Sequence, residues 1–200
     1  EYSKGTVYQH FRSKEDLLAA LMLRAGNLRA GLFERAATFR GSSRERMNAI
    51  GVAVELNHRL HPEAEQVEHL LKSESIRGKA SEEHLARLDE CDSRCLGVCF
   101  GITRDAIAQG DLDLPPGLRL EDVTFALWSL FQGAFFLMGS DLPLDRMGFS
   151  SPFQVLRRSA QLLLDGLGWR PLSHEFDADA AHARILAEVF PEEAARLAEG

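Results

Sequence analysis

The chain is predicted to be all-α, and three observations predict it. Apolar residues recur at helical spacing over most of its 200 residues, capping and breaking residues cut that periodicity into segments, and few runs alternate apolar with polar as a strand does. A hydrophobic fraction of 45% supports a real core. No apolar run reaches the roughly eighteen residues of a membrane span, and the N-terminus has no signal-peptide pattern, so cytoplasmic residence is the expectation.

The elements follow in order. Residues 3–11 read as a very short helix. Ser3 can cap it by accepting from the otherwise unpaired N–H of Thr6. Val7 and Phe11, four apart, share an inward face, leaving Lys4, Thr6, Tyr8, Gln9 and His10 to project elsewhere. After a sharp turn Ser13 caps a second helix, 14–39, with Asp16 at the capping-box position and Leu17, Leu18, Leu21, Leu28, Leu32 and Phe33 near helical spacing. Gly41-Ser42-Ser43 breaks it, and Ser43 is the expected cap of a helix over 44–60. His61-Pro62 opens a helix that runs to about Ile76 and ends at Gly78. Ser81-Glu82-Glu83-His84 opens a long helix ending near Gln109-Gly110, and Leu114-Pro115-Pro116-Gly117 is a turn. A helix over 120–139 and a loop containing Pro143 and Gly148 precede a helix over 152–167, which closes at Gly166-Leu167-Gly168. Residues 172–200 are rich in alanine and acids, with Pro191 dividing two short helices.

Charge is uneven. The net value is −7, yet residues 1–46 hold nine Lys/Arg against five Asp/Glu, while residues 47–200 hold fourteen against twenty-five. A basic end on an acidic body suits a protein that presents one face to phosphate. Three cysteines, an odd number, fit a reducing compartment rather than a disulfide framework. Cys91, Cys95 and Cys99 recur every four residues along one helix face. Packing suits them as small apolar residues; pocket lining, oxidant sensing and soft-metal ligation are the other readings, and a straight helix alone does not wrap a tetrahedral ion. The chain has no Gly-rich phosphate loop, no Gly-x-Ser-x-Gly, no His-Glu-x-x-His and no paired Glu-x-x-His. An enzyme is not expected, and neither a cofactor nor a metal.

Ser3-Lys4-Gly5-Thr6-Val7-Tyr8-Gln9-His10-Phe11, followed by Ser13-Lys14-Glu15-Asp16-Leu17-Leu18, closely resembles the end of the DNA-binding domain of TetR-family transcriptional regulators. The likeness is motif-level at residues 3–18 and architectural beyond them. The family carries roughly thirty to forty residues before this point, forming a first helix and the positioning helix. The numbering is therefore expected to begin partway through that domain. The implied fold is a helix-turn-helix remnant over 1–20, a helical-bundle ligand-binding and dimerisation domain over 21–171, and an acidic helical extension over 172–200.

By the family's pattern Lys4, Gly5, Thr6, Tyr8, Gln9, His10 and Lys14 face the duplex. Thr6, Tyr8, His10 and Lys14 would hold the backbone. Lys4 and Gln9 suit base edges, guanine and adenine respectively, and Gly5 lets the backbone approach the groove. Taken singly, Tyr8 also suits packing and His10 a helix-end cap. The resemblance further implies a double-stranded DNA operator, a small-molecule effector, and a homodimer in which helices 120–139 and 152–167 pair with their copies as a four-helix bundle. Helix 120–139 is apolar on nearly every face past Asp122, so it can meet its own core on one side and a partner on the other. Small residues Gly133, Ala134, Ser159 and Ala160 permit close approach. Candidate liners of an effector pocket are His58, Glu74, Phe100, Thr103, Trp128, Phe131, Gln132, Phe135 and Met138, and a small apolar or aromatic effector is the expected class. The expected function is a ligand-responsive repressor. The alternative is a helical small-molecule-binding or enzymatic bundle without DNA binding.

Overall fold

The computed structural model describes residues 11, 13–62 and 81–199. All of the short helix expected over residues 3–11 except Phe11, with Lys4, Gly5, Thr6, Tyr8, Gln9 and His10, lies outside the described residues, as do residues 63–76 of the helix expected over 62–76, including Glu74. Seven helices and no strand occur among the described residues, as expected of an all-α chain: α1 (Lys14–Ala37), α2 (Ser43–Leu60), α3 (Glu82–Gln109), α4 (Leu120–Met138), α5 (Pro152–Gly166), α6 (Ala178–Val189) and α7 (Pro191–Glu199).

Helix α1 starts where Ser13 accepts a hydrogen bond from the Asp16 N–H at 3.0 Å. The Asp16 carboxylate is buried and reaches α3, lying 2.7 Å from His84 Nδ1. The buried face of α1 follows the predicted stripe only in part. Leu32 and Phe33 point inward with Ala19, Met22, Leu23, Gly26, Ala30 and Ala36, whereas Leu21 and Leu28 are exposed. Small residues win that face because α3 crosses close by: a Cβ at Gly26 would sit 3.2 Å from Cys91 Cβ. Larger side chains there would hold the two helices apart.

The cap of α2 is Ser42, not Ser43. Ser42 Oγ accepts from the Glu45 N–H at 3.2 Å while Glu45 accepts from the Ser42 N–H at 2.9 Å, a complete capping box. Ser43 instead turns inward, donating to Asp111 at 2.6 Å and accepting from the indole N–H of Trp169 at 3.0 Å. One residue of register along the chain decides which serine faces the loop and which the core.

Helix α3 starts at a Ser81 cap and ends at Gly110, whose φ of 78° is the left-handed conformation that closes helices and favours glycine. The main core joins α1, α2 and α3 with Leu164, Trp169, Ile185 and Phe190. Residues 172–199 are thus not a solvated appendage. Ile185 and Phe190 are fully buried, and Arg35 of α1 donates to the Val189 carbonyl at 2.5 Å and to Glu193 at 2.5 and 3.0 Å.

Helix α4 is buried on one face only. Val123, Thr124, Phe131 and Phe135 are inside, while Phe125 and Phe136 are 66% and 63% exposed. On α5, Leu156, Ala160 and Leu164 face inward and Val155 and Leu162 outward. Phe125 and Phe136 are three turns apart with exposed Trp128 between them, and Val155 and Leu162 are two turns apart, so each set shares one outward face, interrupted on α5 by exposed Arg158. Open space lies beside Gly133.

Candidate functional site

The site has two ends joined by one helix. At the first, Lys14 is exposed on the opening turn of α1, where backbone N–H groups lack helical partners and favour an anion. Of the two acids in that turn, Glu15 and Asp16, Asp16 is turned away into its contact with His84 and Ser81.

At the second end, a cavity of about 450 Å³ opens between the helices of the body. Helix α1 contributes Arg29 and Phe33, α2 Met47, Asn48, Ile50 and Gly51, and α3 Asp92, Cys95 and Cys99. Helix α4 supplies Thr124, Leu127, Trp128, Phe131 and Gln132. Helix α5 adds Gln154, Arg157, Arg158, Ala160, Gln161 and Leu164, and α6 adds Ala178, Asp179, His182 and Ile185. This is the size and composition of a small-molecule site, with apolar walls and a few convergent polar groups.

The charged wall groups are held in pairs. Arg29 meets Asp92 at 2.5 Å, joining α1 to α3. Arg157 donates to both oxygens of buried Glu55, at 3.0 and 2.8 Å. Burial, then repulsion from Arg157, pulls His182 below its ordinary value against the opposing pull of Glu55 and Asp179, so the ring is neutral at neutral pH. Burial pushes the Cys95 thiol up despite Arg29, and pushes Cys99 up to about 12. These thiols are neutral wall and packing elements rather than activated nucleophiles. Cys91, whose thiol burial also raises, lies against Gly26. No group of three or more potential metal ligands occurs among the described residues.

Of the nine residues proposed from sequence as pocket liners, Trp128, Phe131 and Gln132 stand together on the cavity wall. Five others do not. His58 stacks on Phe135 with ring centroids 4.1 Å apart, and Met138 packs against the same cluster, so these three build a second small core beside the cavity. Thr103 is fully buried and donates to the Cys99 carbonyl at 2.9 Å, and Phe100 is half-buried off the wall. Glu74 lies outside the described residues.

Sequence reasoning missed Arg29, Arg157, Gln161 and His182. Glu55 and Arg157 are 102 residues apart, and no local pattern links them. His182 did leave a signal. It shares a helix face with Ala178 and Ile185, at i−4 and i+3, so the inward face of α6 reads apolar with one histidine at its centre.

Residues 1–21 match the family model described as "Bacterial regulatory proteins, tetR family". No curated protein and no solved structure gives a significant match. The first described helix starts inside the matched segment and leads into a wholly helical body. No described helix is long and apolar enough to cross a membrane. The match supports a TetR-family transcriptional regulator, with the N-terminal DNA-binding domain matched only in part.

Proposed function

We propose that this regulator is a ligand-responsive repressor, dimeric through α4 and α5, that leaves its operator when a small apolar or aromatic molecule fills the cavity. One observation carries the reading: α1 is unbroken from the matched segment, which ends at residue 21, to the cavity wall at Arg29 and Phe33. A ligand touching Arg29 acts on a rod whose other end, Lys14, lies about 22 Å away at 1.5 Å per residue. A small rotation at the cavity becomes a larger displacement at the DNA end.

In a two-fold dimer, two recognition helices must meet successive major grooves roughly 34–36 Å apart. Changing their separation lowers operator affinity, and a ligand does so only by binding one arrangement better than the other. Lys4 and Gln9 are the proposed base-reading residues. Thr6, Tyr8, His10 and Lys14 are the proposed phosphate contacts, with Gly5 admitting the backbone. Trp128, Phe131 and Gln132 are the proposed effector contacts on α4. The outward faces of α4 and α5 are the proposed dimer face; the exposed apolar side chains Phe125, Trp128, Phe136 and Leu137 of α4, with Val155 and Leu162 of α5, support an interaction site there.

Selection of bound duplexes from a random pool, using the intact protein, yields the operator. Its affinity is then measured with and without candidate small molecules. Unchanged affinity across an apolar and aromatic panel removes the switch. Absence of any salt-sensitive duplex preference removes operator recognition as well.

A further inference from the structure

The cavity's charges are already balanced. Arg29 pairs with Asp92 and Arg157 with Glu55, and the two remaining charged wall residues, Arg158 and Asp179, are exposed and opposite in sign. An ionic ligand would shed its hydration and meet partners that are already neutralised. The interior surface between them is largely apolar, with Ile50, Leu127 and Phe131 on the wall. Wall groups that keep hydrogen-bonding capacity include the buried Thr124 hydroxyl and the half-buried His182 ring. The His182 ring is on the wall, and no hydrogen bond to it occurs among the described residues. A neutral imidazole offers one N–H donor and one nitrogen acceptor, and either tautomer can present the needed group.

We propose that the cavity takes an uncharged molecule, apolar over most of its surface, whose hydrogen-bonding oxygen is read by His182 of α6 in the C-terminal segment. This rests on the ligand-responsive reading above and gives the C-terminal segment a part in recognition. The body of the ligand lies against the apolar wall, and a carbonyl accepts from the imidazole N–H or a hydroxyl donates to its bare nitrogen. The hydrogen bond orients the molecule; apolar burial supplies most of the affinity.

The test is a fluorescence titration of the intact protein with Nile red, an uncharged aromatic dye carrying a carbonyl, set beside the anionic dye 1-anilinonaphthalene-8-sulfonate. Saturable Nile red binding is expected. His182→Phe, which keeps a ring and removes both hydrogen-bonding nitrogens, weakens it about fivefold to tenfold, the worth of one hydrogen bond. His182→Gln restores most of the loss. Leu127→Trp narrows the cavity and abolishes the signal, which places the dye there rather than on the exposed faces of α4 and α5. Equal affinity in His182→Phe, persistence of binding in Leu127→Trp, tighter sulfonate binding that depends on Arg158, or no dye binding overturns the proposal. If an operator complex still responds to some other small molecule, the regulatory reading survives that failure. If it responds to none, the regulatory reading falls whatever the dye does.

Discussion

Two regions built from the same helices differ in how completely they tie down their polar groups. At the base of the body, where α2 starts and α5 ends, every strong polar group is tied down. Arg44 is fully buried; it contacts Asp165 at 2.7 Å and donates to the Trp169 carbonyl at 2.5 Å and the Gln161 carbonyl at 3.0 Å. Gln161 continues to Asn48 at 2.8 Å, and Ser43 joins Trp169 to Asp111. Next to this knot the same α2 and α5 diverge around the cavity, where His182 keeps its hydrogen-bonding capacity in hand. A satisfied buried network has few alternatives, and so it holds helices in place. A cavity lacks the contacts that would resist a shift. The rigid base therefore anchors helices whose middles remain able to respond to a ligand.

The largest expected effect breaks the knot. Arg44→Met strands Asp165 and two carbonyls, and should cost about 3 kcal/mol in urea unfolding, toward the low end for a buried pair because Asp165 is partly exposed. A loss under about 1 kcal/mol would show that the base is not the anchor. Ile185→Ala removes a fully buried side chain that reaches the main core from the C-terminal segment. It should cost about 2–4 kcal/mol. Leu127→Ala, on the half-buried cavity wall, should cost under about 1.5 kcal/mol because the space beside it is already open. Equal losses would erase the distinction between packed base and loose middle.

The proposed dimer face comes next. Phe125→Glu or Leu162→Glu places a charge on a stripe now exposed, so the monomer's stability should barely change. Sedimentation should show dimer association weakened by about 2 kcal/mol or more, some thirtyfold higher Kd. An unaltered Kd in both variants would move the interface elsewhere.

The smallest effects are two pH windows, one for each region. In Asp165, burial pushes the carboxyl up, but hydrogen bonds from Ser173 and the Arg44 guanidinium outweigh it and leave it below its ordinary value. A carboxylate depressed in the folded state contributes stability above its unfolded pKa and loses it as pH falls through the folded value. Urea midpoints should therefore drop below about pH 4, and the slope should flatten in Asp165→Asn. His182 is also depressed, chiefly by burial, so the unfolded chain takes up its proton first. Stability should soften a little below about pH 6.5, and His182→Gln should remove that component alone.

Much of the helical layout was legible in advance because its signals are local. Ser13, Ser81 and Gly110 mark helix ends through bonds made within a few residues, and Pro191 stands where one helix must stop and another start. Other features were not legible, because they depend on what crosses what. The leucines of α1 suggested its core face, yet Leu21 and Leu28 are outside, since the close crossing at Gly26 and Cys91 requires small residues within. His58, Phe135 and Met138 read as pocket liners and instead pack together beside the cavity. Arg44 carries no sign of burial, because its partners Gln161, Asp165 and Trp169 lie more than a hundred residues away.

Sequence by itself determined that this chain is helical, where most of its helices begin and end, and that its first residues carry the mark of a TetR-family regulator, because caps, turns and a compact motif act over one or two turns of backbone. Tertiary structure alone decided which serine caps α2, that an arginine lies at the centre of the base, and that α6 closes the cavity with His182. Those outcomes depend on distances between residues remote in the chain, and only the packing of whole helices sets such distances.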